Sequence, residues 1–232
     1  MAPVILAFEA STEQLSVAVY MNGSVLAMQK IEAPFTQAAE LMPLAIRTLA
    51  DVGMEFSSLS HVAAGCGPGS FTGLRVSLAA AKGVCLARDI IGLGISGLEA
   101  LAFSSSEALK GLPVLCIADT RRGNVYAQLF ASDMTPQGAI FEAQTDQLPL
   151  LVPASICADG LMLVGFGVLA AEMAFAANGL AATPVFCRDK QDVLTVDAGM
   201  IATMAAKKIM LGDFSPLTPL YLSDPRLGPK KK

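Results

Sequence analysis

Apolar residues run almost unbroken from Val4 to Ala10, from Leu15 to Tyr20 and from Val25 to Ile31. Each run is too short for a buried helix and is rich in β-favouring side chains, so the pattern predicts three opening strands. Asn22-Gly23 between the second and third is a hairpin signal. From about Thr36 to Val52 the period changes: Ala38, Leu41, Met42, Ala45, Leu49 and Val52 recur at helical spacing, with Gly53 as a stop. Pro43 inside this helix removes one backbone bond and predicts a bend near Ala39 to Pro43. A strand at His61 to Ala64, a helix opened by a glycine-rich loop and running to about Arg88, a strand at Ile90 to Ile95 and a helix from Gly97 to Leu109 follow.

After Pro113 the order begins again. Val114 to Ala118, Val125 to Ala131 and Ala139 to Ala143 read as strands, with a turn over 119–124. A helical stretch within Thr145 to Ala158, a strand at Leu161 to Gly165, a helix over Val168 to Asn178, a strand at Pro184 to Cys187 and a helix from Val196 to Leu211 complete the chain, the last capped by Asp197 or Thr195. The fold class is therefore α/β, with an N-terminal lobe over 1–110 and a C-terminal lobe over 111–232 that repeats its element order.

The densest motif is Gly65-Cys66-Gly67-Pro68-Gly69-Ser70-Phe71-Thr72-Gly73-Leu74-Arg75-Val76, at a strand-to-helix junction. Ser70 or Thr72 can cap the helix, and exposed amides there suit an anion. It is not a P-loop: Gly67 and Gly73 enclose five residues rather than four, and Leu74-Arg75 stands where Lys-Ser/Thr is required. Nor is it a dinucleotide fingerprint, since Thr72 follows Gly69 at the distance where a third small residue is needed. Two readings stay open: a functional loop, or a tight turn whose glycines serve packing.

Composition narrows the chemistry. Just over half of the 232 residues are apolar, and the net charge of −4 argues against direct grip on nucleic acid. The basic run Lys230 to Lys232 reads as a solvated tail. The start lacks a basic n-region and Glu9 interrupts its apolar run, while Leu161 to Ala171 is too short to span a bilayer; no membrane segment is expected, and a cytoplasmic location is. Cys66, Cys85, Cys116, Cys157 and Cys187 are widely spaced and read as buried free thiols. With His61 the only histidine, no metal site and no Ser-His-Asp triad are expected.

Two tandem β-β-β-α-β-α-β lobes are similar to the duplicated ribonuclease-H-like fold of actin, Hsp70 and sugar kinases, the ASKHA superfamily, whose members bind ATP between the lobes. That likeness marks Glu9 to Thr12 as the first phosphate turn, though it lacks the usual glycine and carries Glu9 for aspartate. It also marks Asp119, Arg122 and Gly165 as candidate nucleotide contacts. Ile5 to Thr12 with Ser16 to Val19, Gly67 to Val76, Ile117 to Tyr126 and Pro219 to Leu222 together resemble the TsaB (YeaZ) family. The resemblance implies a non-catalytic subunit in threonylcarbamoyladenosine modification of tRNA position thirty-seven. Such a subunit pairs with TsaD, works with the ATPase TsaE, meets tRNA only through the complex, and forms a homodimer as one option when alone. The catalytic relatives carry a His-x-x-x-His metal pair on the first long helix, which here begins Phe35-Thr36-Gln37-Ala38-Ala39-Glu40 without histidine. Glu9, Asn124 and Ser223 depart from the family's frequent residues. The resemblance implies no cofactor in the isolated chain and leaves open ATP or ADP at the boundary with a partner.

The helix after the glycine loop has two stripes. Leu74, Leu78, Ala81 and Cys85 form one; Val76, Ala79, Ala80, Gly83 and Ala87 form the other, and small residues there would let a second helix approach closely. Ala39, Ile46 and Ala50 repeat the excess on the first long helix. These eight residues are the expected partner interface; the alternative is that the stripes pack on each other within one lobe. The rival function is a weak ATPase or small-molecule kinase using Asp119 and the cleft between lobes.

Overall fold

The computed structural model describes residues 2–12, 14–32, 36–106, 111–120, 122–158, 160–185 and 195–222. Strands β1 (Ile5–Glu9), β2 (Gln14–Met21), β3 (Ser24–Glu32), β4 (His61–Gly67) and β5 (Ile91–Ser96) form one sheet in the order β3-β2-β1-β4-β5. The β1–β2–β3 meander is antiparallel, and β4 and β5 run parallel to β1. The second sheet holds β6 (Val114–Asp119), β7 (Val125–Phe130), β8 (Phe141–Ala143), β9 (Leu161–Gly165) and β10 (Ala182–Val185) in the equivalent order β10-β9-β6-β7-β8. The helices are α1 (Gln37–Ala50), α2 (Phe71–Arg88), α3 (Gly97–Ser104), α4 (Leu148–Leu151), α5 (Ala154–Ala158), α6 (Val168–Ala177) and α7 (Ala198–Leu211).

Strand alternation explains why both faces of each sheet are covered. Leu6 and Phe8 point to one side, with Val17, Val19, Val62 and Ala64, into a core closed by Leu41, Leu44 and Leu49 of α1 and Leu78 and Ala81 of α2. Ile5 and Ala7 point to the other side, where Ile201, Ala202 and Ala205 of α7 cover them. Strands buried on both faces read as continuous apolar runs, which is the pattern seen in sequence.

Several expectations change in detail. β4 runs on through Gly65, Cys66 and Gly67, so half of the glycine run is strand rather than loop. The helical stretch over 145–158 divides into a 3₁₀ turn at Thr145–Gln147, α4 and α5, with Pro153 at the break between the helices. The third helix ends at Ser104 where Leu109 was expected, and residues 107–110 lie outside those described. β10 begins at Ala182, two residues early, and Cys187 lies outside the described residues; of the two caps expected for the last helix, Asp197 and not Thr195 takes the position, its side chain accepting Met200 N–H at 2.9 Å. Helix α1 is unbroken by Pro43.

The division at 110/111 separates the two sheets, but packing crosses it. Leu98, Leu101 and Ala102 of α3 join Val114, Cys116, Phe130 and Val164 on the second sheet, while α7 covers the first. After α7 the chain runs along the edge of β5, where Gly94 N–H donates to Ser215 at 3.0 Å, and Leu220 N–H donates to Cys66 at 2.7 Å. Cys66, Cys116 and Cys157 are buried and Cys85 is half-buried, all unpaired; burial pushes the Cys66 thiol up to about 12.

Candidate functional site

β1 ends at Glu9, whose side chain is 1% exposed. Its Oε1 accepts the Ser11 N–H at 2.5 Å, closing the turn into β2, and Oε2 is buried without a hydrogen-bond partner. Burial pushes the carboxyl up to about 7; the Ser11 hydrogen bonds oppose that rise and the Asp197 charge adds to it. Ser11 is 4% exposed, so this turn is covered.

The glycine run covers it. A Cβ on Gly65 would stand 1.8 Å from Glu9 Oε2, one on Gly69 would stand 2.7 Å from the Ser11 Cβ and carbonyl oxygen, and one on Gly73 would stand 1.7 Å from the Ala10 carbonyl oxygen. Ser70 N–H donates to the Ser11 carbonyl at 2.8 Å, and Ser70 Oγ accepts Gly73 N–H at 3.3 Å as the α2 cap. Gly69 and Gly73 let two stretches of chain meet and Gly65 leaves room for the Glu9 carboxyl, which favours the packing reading of the two open in sequence.

The nucleotide candidates lie at the ends of β9 and β6 and in the turn that follows β6. Gly165 ends β9 opposite Ile117, and a Cβ there would meet the Ile117 carbonyl oxygen at 2.1 Å, so it too serves close backbone approach. Asp119 ends β6 on the neighbouring strand. The Arg122 guanidinium donates to Tyr126 Oη at 2.7 Å and lies 3.7 Å from Glu142 Oε2 on β8. A cleft of about 410 Å³ between the lobes is lined by residues including Cys66, Ser96, Glu99, Gln128, Lys208 and Thr218; Asp119, Arg122 and Gly165 are not among them. Lys208 bridges Asp213 at 2.9 Å and Glu99 at 3.5 Å there. Among the described residues no three His, Cys, Asp or Glu side chains group as metal ligands. His61 starts β4 with Nδ1 2.8 Å from Ser60 Oγ, and burial lowers its pKa.

The expected interface residues fall into two sets. Ala39, Ile46 and Ala50 on α1 and Ala79, Gly83 and Ala87 on α2 are exposed. Val76 and Ala80 are half-buried against the first core, so part of the second stripe is used within the lobe. Sequence reasoning missed a neighbouring group. Phe71 and Arg75 at the start of α2 meet Tyr221 from the tail: Arg75 Nε donates to Tyr221 Oη at 3.1 Å, its guanidinium carbon lies 3.8 Å from the Phe71 ring centre, and the two rings are 5.2 Å apart. The available signal was an arginine near the start of a helix whose first turn has no acidic residue.

The family model of TsaD, tRNA N6-adenosine threonylcarbamoyltransferase, matches residues 36–149, just under half of the chain. The TsaB proteins of Escherichia coli and Bacillus subtilis, both described as tRNA threonylcarbamoyladenosine biosynthesis proteins, are each 32% identical, over 122 residues (53% of this chain, 52% of that one) and 126 residues (54% of each). The chain thus spans about half the length of the curated relatives it matches. In structure it is similar to YeaZ from Pseudomonas aeruginosa, with a TM-score of 0.74 at 22% identity over 95% of this chain and all of that one. It is also similar to the ethanolamine utilization protein EutJ from Carboxydothermus hydrogenoformans, with a TM-score of 0.51 at 12% identity over 87% and 90% of the two chains. The fold is the α/β, actin-like arrangement expected from the element order.

Proposed function

Since the chain resembles TsaB in sequence and YeaZ in fold, we propose that it is a non-catalytic subunit for threonylcarbamoyladenosine modification of tRNA, pairing with TsaD and acting with TsaE. The observation that carries this reading is the filled first turn: the glycine run lies against Glu9 to Ser11, in the place where ATP-binding relatives need room for phosphate. The outward faces of α1 and α2, with Ala39, Ile46, Ala50, Ala79, Gly83 and Ala87 exposed, supply the partner surface. On this reading the chain holds no nucleotide of its own, any ATP or ADP sits at the boundary with the partner, and tRNA is met through the complex. It works in the cytoplasm; no helix among the described residues is long and apolar enough to cross a membrane.

The test is reconstitution. Purified chain, TsaD and TsaE are assayed together and singly for threonylcarbamoyl transfer to tRNA, with TsaD retention on the tagged chain measured alongside. Transfer should require TsaD and rise when this chain is added. Transfer by the chain alone would overturn the non-catalytic reading, and steady ATP hydrolysis by it alone would support the kinase-like one.

A further inference from the structure

The Phe71, Arg75 and Tyr221 group lies beside the interface proposed above but was not part of it. We propose that Arg75, held between Phe71 and Tyr221, is the charged anchor of the α2 surface and takes a carboxylate from an acidic protein partner. This rests on the partner-subunit reading and adds to it the chemistry of the contact.

Three observations carry it. The side chain is fixed before any partner arrives, since its Nε is bonded to Tyr221 Oη at 3.1 Å and its planar cation lies 3.8 Å from the Phe71 ring centre. A guanidinium so held loses less freedom on pairing. Second, α2 carries Arg75, Lys82 and Arg88 and no acidic residue, in a chain whose net charge is −4. Arg88 is turned back to the Ser57 carbonyl at 3.3 Å, whereas Arg75 and Lys82, seven residues apart, share the outward face with Ala79 and Leu86. Third, its immediate surroundings are apolar and open: Tyr221 is 47% exposed, and its chain neighbours Leu220 and Leu222 are exposed too. Covering them would exclude water and strengthen an ion pair at the centre.

Charge also selects the occupant. The two outward cations call for carboxylates on the occupant, which the α2 helix of a second copy does not carry. RNA phosphate is a weaker fit, because two outward cations in an acidic chain make a small footprint beside an apolar surround.

The full-length chain and its cognate TsaD are titrated by calorimetry at two salt concentrations, using wild type, Arg75→Glu, Arg75→Lys and Tyr221→Phe. Arg75→Glu should weaken binding by about thirtyfold or more and remove most of the salt dependence, Arg75→Lys and Tyr221→Phe by about three- to tenfold, with unchanged circular dichroism. Arg75→Glu binding within about threefold of wild type overturns the anchor while leaving the partner reading intact. If wild type does not bind TsaD, the partner reading and the anchor fall together. If Arg75→Glu leaves TsaD affinity alone and instead abolishes tRNA binding by the isolated chain, the group takes phosphate and the proposal is overturned.

Discussion

Replacing Gly73 by alanine tests whether the glycine run exists for packing. The new Cβ would stand 1.7 Å from the Ala10 carbonyl oxygen, and ordinary contact begins at 3.4 Å, so α2 and the β1–β2 turn must separate by roughly the difference. Both are backbone, and no rotamer change relieves the clash. Overpacking of this kind costs about 1–3 kcal/mol. The Ser70 to Ser11 hydrogen bond, 2.8 Å long, lies across the same junction, and its loss adds about 1 kcal/mol. Helix propensity returns at most about 1 kcal/mol, leaving a net loss of about 1–3 kcal/mol, or roughly 3–10 °C in Tm for a chain of this size. Gly83→Ala is the internal control: it lies in the same helix, is exposed, and its Cβ would meet nothing within 4 Å, so it should gain up to about 1 kcal/mol. Urea unfolding and thermal melting of both variants decide the matter. A Gly73→Ala protein as stable as Gly83→Ala would refute the packing account and reopen the functional-loop reading.

Glu9 predicts a pH dependence of definite sign. Its folded pKa of about 7 lies above the unfolded value near 4.5, so the folded state holds the proton more tightly, and stability falls as pH rises from about 4.5 to about 7 and levels off above. The loss is on the order of 3 kcal/mol, and Glu9→Gln should remove that component, seen as urea midpoints at pH 5 and pH 8 that differ less than in wild type. An unaltered pH dependence in Glu9→Gln would show that the carboxyl is not neutral when buried. On the proposed interface, Gly83→Arg should abolish TsaD capture while leaving the melting temperature unchanged or slightly raised, because it adds a long charged side chain to an open helix face. Normal capture by a folded Gly83→Arg protein would remove Gly83 from the contact.

Much of the fold was legible because it is written locally. Period-two and continuous apolar runs mark strands, 3.6-residue spacing marks helices, and Asn22-Gly23, Ser70 and Asp197 signal the turn or cap they form. The ten strands among the described residues were all anticipated, with errors at their ends, where the hydrogen bonds that extend β4 to Gly67 come from β5 and not from β4 itself. The helical stretch over 145–158 failed differently: its apolar content suits one helix, but Pro149 and Pro153 left only short pieces. Of the candidate site, the eight small and apolar positions on α1 and α2 were readable as stripes. Their exposure was not, because Val76 and Ala80 differ from Ala79 and Gly83 only in facing the first core.

By itself the sequence determined element type and order, the α/β class, and a composition with one histidine and a small charge. Those properties depend on residues close in the chain or on simple counts. Only the tertiary structure decided which distant surfaces meet. Gly73 is a glycine because Ala10 lies against it, α7 closes the first sheet although it follows the second, and Tyr221 reaches Arg75 across 146 positions. Backbone approach and side-chain clamps of that kind are properties of two segments at once, and the free energy that places them is the burial of both lobes' apolar faces together, which no single stretch encodes.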